Sequence, residues 1–332
     1  MLDGDLLLYS VLALILVAEF VNGWTDSPNA IATVVSTRVL SPYQAVIMAT
    51  VLNAIGAMSG TAVAATIGKD IVSPDVINLT TVAAAMSGII FWSTLAWYWG
   101  LPTSESHALI AGLTGAGLAT AGPESLLWTG WSKVLIGLVF STFLGFFGGL
   151  VLMGLLYRML ANSRPGTVRR VFGRLQILSA AFMAFSHGSN DGQKFIGVFT
   201  LSLLLGGILP AFQVPLWVIL LCALTMGLGT AVGGWRIVKT MGLRLTRLEP
   251  VHGFAAETAA ALTIEIATRL GIPLSTTHTI NTAIVGVGAT RRFSAVRWGV
   301  TFEIVAAWIL TFPVCGLIGW GAAKILLLLS TA

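Results

Sequence analysis

The chain has 332 residues, of which 56% are hydrophobic and only 9% are charged, whereas soluble domains usually carry about 25% charged residues. This composition excludes a soluble globular protein and predicts an all-α integral membrane protein that lies in a lipid bilayer. The net charge of +5 does not indicate a nucleic-acid partner, because the arginines gather at the ends of apolar runs, where they orient membrane segments.

Apolar runs long enough to cross about 30 Å of hydrocarbon recur along the whole chain. They predict five membrane segments in each half of the sequence. The first segment of each half is too long for one straight crossing at about 1.5 Å of rise per residue, so we expect it to be broken or strongly tilted. The predicted segments are 5–38, 43–68, 76–99, 100–121 and 132–157, followed by 175–206, 215–235, 250–270, 271–290 and 298–329.

The two halves also share sequence. "GLPTSESHALIAGLTGAG" from residue 100 and "GIPLSTTHTINTAIVGVG" from residue 271 are identical at six of eighteen positions. "AEFVNGWTDSPNA" from residue 18 and "MAFSHGSNDGQKF" from residue 183 share Phe, Gly and Asp. Two matches in the same order indicate an internal repeat.

Charge indicates how the two repeats are oriented. "LATAGPESLLWTGW" follows the first Gly-Pro segment without any Lys or Arg, whereas its counterpart "ATRRFSAVRWGVTF" contains three arginines. Because basic loops stay on the cytoplasmic side, these two places face opposite sides of the membrane, and the second repeat is predicted to be inverted. Five crossings per repeat then put both termini outside a multi-pass protein of the cell membrane, either inner or plasma membrane.

We therefore expect three parts along the chain: inverted repeat 1 at 1–157, a basic cytoplasmic linker at 158–174, and inverted repeat 2 at 175–332. Two inverted repeats of about five segments, with broken or re-entrant helices, are typical of secondary transporters. Such transporters bind their substrate where the interruptions meet near the middle of the membrane.

One polar interruption in each half contains an aspartate, Asp26 in the first and Asp191 in the second. An ionised carboxylate in hydrocarbon is costly, so such residues usually face a cavity, an ion or a partner. Carboxylate, amide and free backbone oxygens suit Na⁺, whereas an aspartate alone could carry a proton. The alternative interpretation is that both aspartates only cap helices or pair with Lys194.

The other interruption in each half begins with a proline followed by hydroxyl side chains, in "PTSESH" from residue 102 and "PLSTTH" from residue 273. This pattern predicts the N-cap of a helix. A helix that begins at membrane depth offers free N–H groups and its positive dipole end to an oxyanion such as phosphate or sulfate. Alternatively, the helix is only kinked and its hydroxyls bond to its own backbone.

Four further polar residues lie near these interruptions. Lys194 could pair with Asp191, contact the anion or extend to the membrane surface, and the sequence does not choose among these. His107 and His278 are expected to brace the helices by hydrogen bonds rather than to relay protons. Glu257 either carries a coupling proton or pairs with the nearby polar interruptions, and both interpretations stay open. No nucleotide-binding loop, metalloprotease helix or nucleophile elbow occurs, so neither an enzyme nor a cofactor is expected.

The motifs resemble those of the inorganic phosphate transporter (PiT) family, in its compact microbial type. "FVNGWTDSPNAIATVVSTR" and "SHGSNDGQKFIG" resemble the two signatures of that family, and "LPTSESH" and "IPLSTTH" resemble its two re-entrant segments. The first signature departs from its usual form on both sides of Asp26. The resemblance implies a homodimeric symporter that imports inorganic phosphate with H⁺ or Na⁺ by alternating access.

Carried over to this chain, the resemblance also implies site residues. The implied phosphate ligands are Thr103, Ser104, Ser275, Thr276, Thr277, Asn29 and Gln193. The implied coupling-cation residues are Asp26, Asn22, Asp191 and Asn190, with Asp26 and Asp191 as candidate Na⁺ ligands. Two alternatives stay open: a sulfate or metal–phosphate permease of the same fold, and an anion channel of a different class.

Overall fold

A computed structural model describes residues 4–331, and within that range the chain forms thirteen α-helices and no extended strand. The first half forms α1 (Gly4–Asp26), α2 (Pro28–Ser36), α3 (Pro42–Ala57), α4 (Ala62–Lys69), α5 (Leu79–Trp99), α6 (Glu105–Ala121) and α7 (Trp128–Met159). The second half forms α8 (Pro165–Leu205), α9 (Leu216–Val232), α10 (Trp235–Lys239), α11 (Pro250–Arg269), α12 (Thr276–Arg291) and α13 (Trp298–Thr331).

The two halves follow the same order of elements. Each begins with a long helical segment and continues with a bent pair, α3 with α4 at 70° and α9 with the segment 235–244 at 60°. Each half then has one more helix (α5 or α11), a short helix after a proline (α6 or α12) and a long final helix (α7 or α13). This shared order agrees with the internal repeat that the sequence predicts.

Ten membrane segments are predicted, but fewer helices are long enough to span a membrane. Four helical stretches among the described residues are long and apolar enough to cross, and the two bent pairs bring the number to six. The helices α6 and α12 have only 17 and 16 residues, fewer than the roughly 20 that a full crossing needs. Their length agrees with the predicted re-entrant segments.

Two glycines determine where the short helices begin. Gly100 ends α5 with φ 70°, and Gly271 follows α11 with φ 66°, a left-handed conformation that favours glycine. The next N–H group in each case bonds back into the preceding helix, Leu101 to Ala96 and Ile272 to Ala267, both at 2.9 Å. The chain therefore turns sharply before each proline, and the short helix begins inside the protein.

The polar run around Asp191 is predicted to interrupt the helix, and this prediction is wrong. The helix α8 continues from Pro165 to Leu205 over 41 residues, so it also includes the end of the predicted linker. Its central glycine does not turn the chain but allows α3 to approach, since a Cβ at Gly188 would lie 2.1 Å from the Asn53 carbonyl oxygen. In the first half, by contrast, α1 ends at Asp26 and α2 begins at Pro28.

The long first segments of the two halves lie against each other in opposite directions. Near the start of α1, Leu8 approaches the end of α8, where a Cβ at Gly206 would lie 2.8 Å from Leu8 Cδ1. Beyond the end of α2, the Thr37 hydroxyl donates to Gln176 Oε1 near the start of α8, at 2.9 Å. This antiparallel contact supports the inverted relation of the repeats, which stays a prediction.

The final helices connect the halves. The short helix α6 packs against α13 of the second half, and α12 packs against α7 of the first half. The apolar core is divided into two clusters, each with residues from both halves. The short helices are therefore held by the half to which they do not belong in sequence.

The contact at Gly188 generates a prediction about stability. Gly188→Ala should lower the stability by about 1–3 kcal/mol, because the new methyl group meets backbone atoms that cannot move aside. The matched control is Gly173→Ala in the same helix, where a Cβ meets nothing within 4 Å. This change should raise the stability by about 0.5–1 kcal/mol. Thermal unfolding in detergent, followed by tryptophan fluorescence, measures both; equal melting temperatures would contradict the close contact.

Candidate functional site

The polar residues of the interruptions meet in one buried group, which we call the central cluster. It joins the end of α1, the start of α2, the middle of α8 and the first turns of α6 and α12. Every member is at most 3% exposed. The central cluster consists of Asp26, Asn29, Ser106, Asp191, Lys194, Thr276 and Thr277.

The first half contributes Asp26 and Asn29, and both contact α12 of the second half. The Thr277 hydroxyl lies 3.3 and 3.4 Å from the two carboxylate oxygens of Asp26. The Asn29 amide donates to the same hydroxyl at 3.0 Å and to Thr276 Oγ1 at 3.4 Å. The interruption of one half thus binds the short helix of the other.

The second half contributes Asp191 and Lys194 from consecutive turns of α8. Thr276 Oγ1 donates to Asp191 Oδ2 at 3.0 Å, and the Lys194 ammonium forms an ion pair with Asp191. The same ammonium donates to the Ser106 hydroxyl on α6 and, at 3.0 Å, to the carbonyl of Leu274. Of the three roles offered by the sequence, Lys194 takes the pairing with Asp191.

The two aspartates are not equally suited to a metal ion. Asp26, His187 and Asp191 bring one ligand atom each to within 4.8 Å of one another, which is close enough for a shared cation. Both oxygens of Asp191 are nevertheless engaged, one by Lys194 and the other by Thr276. Among residues 4–331, Asp26 accepts hydrogen bonds from Thr277 alone, and both are long. Asp26 therefore has more acceptor capacity left for a cation than Asp191 has.

Three predicted site residues bind structural partners near the central cluster. Asn22 donates to Glu19 Oε2 at 3.0 Å, and Asn190 donates to Thr268 Oγ1 at 2.8 Å. Gln193 accepts the N–H of Val63 at 3.0 Å, at the start of α4. Asn190 and Gln193 thereby connect α8 to α11 and α4, whereas Asn22 and Glu19 both lie on α1. The Oδ1 atoms of Asn22 and Asn190 have no hydrogen-bond partner among the described residues.

The serines that precede the short helices act as N-caps. Ser275 Oγ accepts the N–H of His278 at 3.1 Å, and Ser104 Oγ accepts that of His107 at 3.3 Å. This confirms the predicted N-caps, because each short helix begins directly after its serine and does not run through it as a kinked helix. Thr103, which precedes Ser104, is buried at 4% exposure.

The two histidines contact each other through their rings. His107 and His278 lie edge to face with centroids 4.6 Å apart, and His278 stacks on Trp308 at 3.7 Å. Neither nitrogen of His278 has a hydrogen-bond partner among the described residues. The expected bracing by hydrogen bonds is therefore wrong for His278, because ring packing holds its side chain.

Glu257 lies in a separate polar group. Its carboxylate accepts hydrogen bonds from Thr33 on α2 and from Gln176 and Ser179 on α8. Glu257 thereby connects α11 to α2 and α8. Its partner Thr33 lies one helical turn after Asn29 on α2.

A third buried carboxylate beside the central cluster was missed by the sequence reasoning. Glu105, at the start of α6, accepts the Thr25 hydroxyl at 2.9 Å and the Ser93 hydroxyl at 2.7 Å. Thr25 is the neighbour of Asp26, so Glu105 connects α6 to the end of α1. The signal was present in the repeat, where Glu105 occupies the position of Thr276 in "PTSESH" and "PLSTTH".

Comparisons with known proteins find phosphate transporters. The model of the phosphate transporter family matches residues 22–167 and 160–319. A probable low-affinity inorganic phosphate transporter of Rhizobium meliloti (strain 1021) is 45% identical over 94% of both chains. A protein of the same description from Bacillus subtilis (strain 168) is 39% identical over 95% of this chain and 96% of its own.

A solved structure described as the sodium-dependent phosphate transporter has the same fold. It superposes with a TM-score of 0.86 at 26% sequence identity and covers 97% of this chain and 99% of its own. The relatives are transporters rather than enzymes. With most of its length matched by the family model and by relatives above 30% identity, this chain belongs to the phosphate transporter family.

Proposed function

We propose that this protein imports inorganic phosphate by symport with a cation, through alternating access around the central cluster. The observation that carries the proposal is the convergence of Asp26, Lys194 and the start of α12 in one buried place. Such a convergence of interrupted segments is where secondary transporters bind their substrate and ions. The membership in the phosphate transporter family supports phosphate as the substrate.

The start of α12 is proposed to hold the phosphate. The first N–H groups of a helix lack partners within it, and Ser275 satisfies the one at His278. The N–H groups of Thr276 and Thr277 are left to face an anion. To join them, each threonine hydroxyl must turn its proton away from the aspartate that accepts it in this structure. The helix dipole and the Lys194 ammonium add positive potential. No arginine belongs to the central cluster, so a bound phosphate could also leave.

Asp26 is proposed to bind the coupling cation. Its carboxylate contacts Thr277, so without a cation its negative charge opposes a phosphate at the same hydroxyl. A cation at Asp26 removes this repulsion, which makes phosphate binding depend on the cation. The likeness to a protein described as sodium-dependent supports Na⁺, and H⁺ on Asp26 is the other form of the proposal.

Lys194 is proposed to replace a second cation. In the repeat, Lys194 corresponds to Asn29, and its ammonium bonds to oxygens of Asp191, Ser106 and Leu274. Oxygens around a positive charge are also what a bound Na⁺ requires. The Lys194 ammonium is therefore a permanent positive charge in the second half, whereas Asp26 of the first half binds a cation from solution.

The orientation and assembly stay predictions of the sequence. The arginine pattern supports both termini outside the cell membrane, and the homodimer rests on the resemblance alone.

Asp26→Asn should abolish gradient-driven phosphate uptake. Without the carboxylate the coupling cation loses its ligand, so uptake should fall by roughly tenfold or more, which corresponds to about 1.4 kcal/mol or more. The measurement is accumulation of labelled phosphate by purified protein in liposomes under an inward Na⁺ or H⁺ gradient. The control is Asp75→Asn, a change of the same charge at an exposed position.

The same liposomes test the substrate and the coupling. Phosphate should accumulate under one of the two gradients, and labelled sulfate should not. Uptake of sulfate in place of phosphate, or phosphate flux that responds to neither gradient, would reject the proposed symport. Normal uptake by the Asp26→Asn protein would assign this carboxylate a structural role only.

Lys194→Asn should create a binding site for Na⁺. The change restores the residue of the other half and frees Asp191, so Na⁺ should stabilise this variant more than the parent protein. A cation at about 100 times its dissociation constant adds about 2.7 kcal/mol. Thermal unfolding in detergent with NaCl or choline chloride measures the gain.

The double variant Lys194→Asn with Asp191→Asn is the matched control, because it removes the freed carboxylate. The extra Na⁺ effect should disappear in it. A folded Lys194→Asn protein that responds to Na⁺ no more than the parent would show that Lys194 does not stand in for a cation.

A further inference from the structure

A basic cavity of about 330 Å³ lies far along the chain from the central cluster, between the loop after α10 and the loop after α12. Its volume lies within the range of about 300–1,000 Å³ that is common for small-ligand sites. Polar side chains from three separate segments line it. They are Thr246, Arg247, His252, Arg291, Arg292, Ser294 and Arg297.

Hydrogen bonds fix the walls of this basic cavity. The Thr246 hydroxyl donates to the carbonyl of Ala295 at 3.1 Å, and the N–H of Arg297 donates to the carbonyl of Leu245 at 2.9 Å. The Tyr157 hydroxyl lies 2.8 Å from His252 Nε2 on the inner side. Both loops are thus tied to each other, so their backbones hold the exposed arginines side by side before any ligand arrives.

The arginines of the basic cavity have no acidic partner. No ion pair among residues 4–331 involves any of the four, although Arg244 pairs with Glu303 and Arg269 with Glu265 close by in sequence. No carboxylate lines the basic cavity. Glu249 lines the adjoining cavity instead, where its backbone N–H donates to His252 Nδ1 and its carbonyl accepts the N–H of His252. The four arginines thus share the basic cavity without a carboxylate, and Arg291 also lines the adjoining cavity with Glu249.

We propose that the basic cavity binds a phosphate group, at a second site separate from the proposed transport site. Guanidinium groups match phosphate oxygens with paired N–H donors, and several of them without a carboxylate favour a multiply charged anion. Orientation in the membrane alone requires basic residues near a segment end. It does not require that arginines from separate segments share one preformed cavity.

Two sources can supply that group. Phe293, which is 65% exposed, stacks near Trp298 beside the arginines, and exposed aromatic rings of this kind mark the membrane surface. The headgroup of an anionic phospholipid could therefore enter from the bilayer. Free phosphate in solution offers the same chemistry, and on the predicted cytoplasmic side it would be the proposed transport product.

The test for the lipid source uses native mass spectrometry of the full-length protein with phosphatidylglycerol or phosphatidylcholine. The protein should retain phosphatidylglycerol, and Arg291→Gln with Arg292→Gln should weaken this retention by roughly tenfold. Arg247→Gln with Arg297→Gln is a second variant of the same cavity. The control is Arg170→Gln with Arg174→Gln, an equal loss of charge at exposed positions outside the cavity.

The test for free phosphate uses equilibrium binding of labelled inorganic phosphate in detergent without acidic lipid. All proteins in this arm carry Thr276→Ala and Thr277→Ala, which remove the hydroxyls of the proposed transport site. Any binding left at that site is the same in the cavity variants and the control, so only the difference between them reports on the basic cavity. Binding that the cavity variants lose and the control keeps assigns the basic cavity to free phosphate. A difference in the lipid arm assigns it to a headgroup. If folded cavity variants match the control in both arms, the second site does not exist, whatever the outcome for transport.

Discussion

The burial of charge is the constraint on which the centre of this protein depends. Lys194 is 1% exposed, and a charged group inside the membrane costs several kcal/mol unless it is paired. Its partners are Asp191 on its own helix, Ser106 on α6 and the carbonyl of Leu274 before α12. Satisfying this one ammonium therefore brings together elements of both halves, and the position of each short helix follows from it.

Much of the fold could be predicted because its signals are local. Apolar length and scarce charge predict membrane helices, and Pro102 and Pro273 lie three residues before the helices at Glu105 and Thr276. The continuity of α8 could not be predicted in this way. A glycine in a polar run can end a helix, or it can allow a neighbouring helix to pack closely. At Gly188 the deciding neighbour is Asn53, which is remote in sequence.

The site was predictable where the repeat gave two copies of a motif and not where the partners lie across the fold. Asp26, Asp191, Asn29, Thr276 and Thr277 come together as the sequence suggested. The pairing of Asp191 with Lys194 was one of several open choices, and only the shape of the folded interior selects it. Glu105 was not singled out from the sequence, because the helix dipole alone also explains a carboxylate in the first turn of α6.

The exchange of short helices between the halves restricts how the molecule can move. Because α6 packs on α13 and α12 packs on α7, pulling the halves straight apart would expose both short helices and the charges at their starts. A sliding or twisting displacement keeps those packed surfaces covered. In the proposed alternating access, a path to one side of the bilayer would therefore open by sliding between packed helices rather than by separation of the two halves.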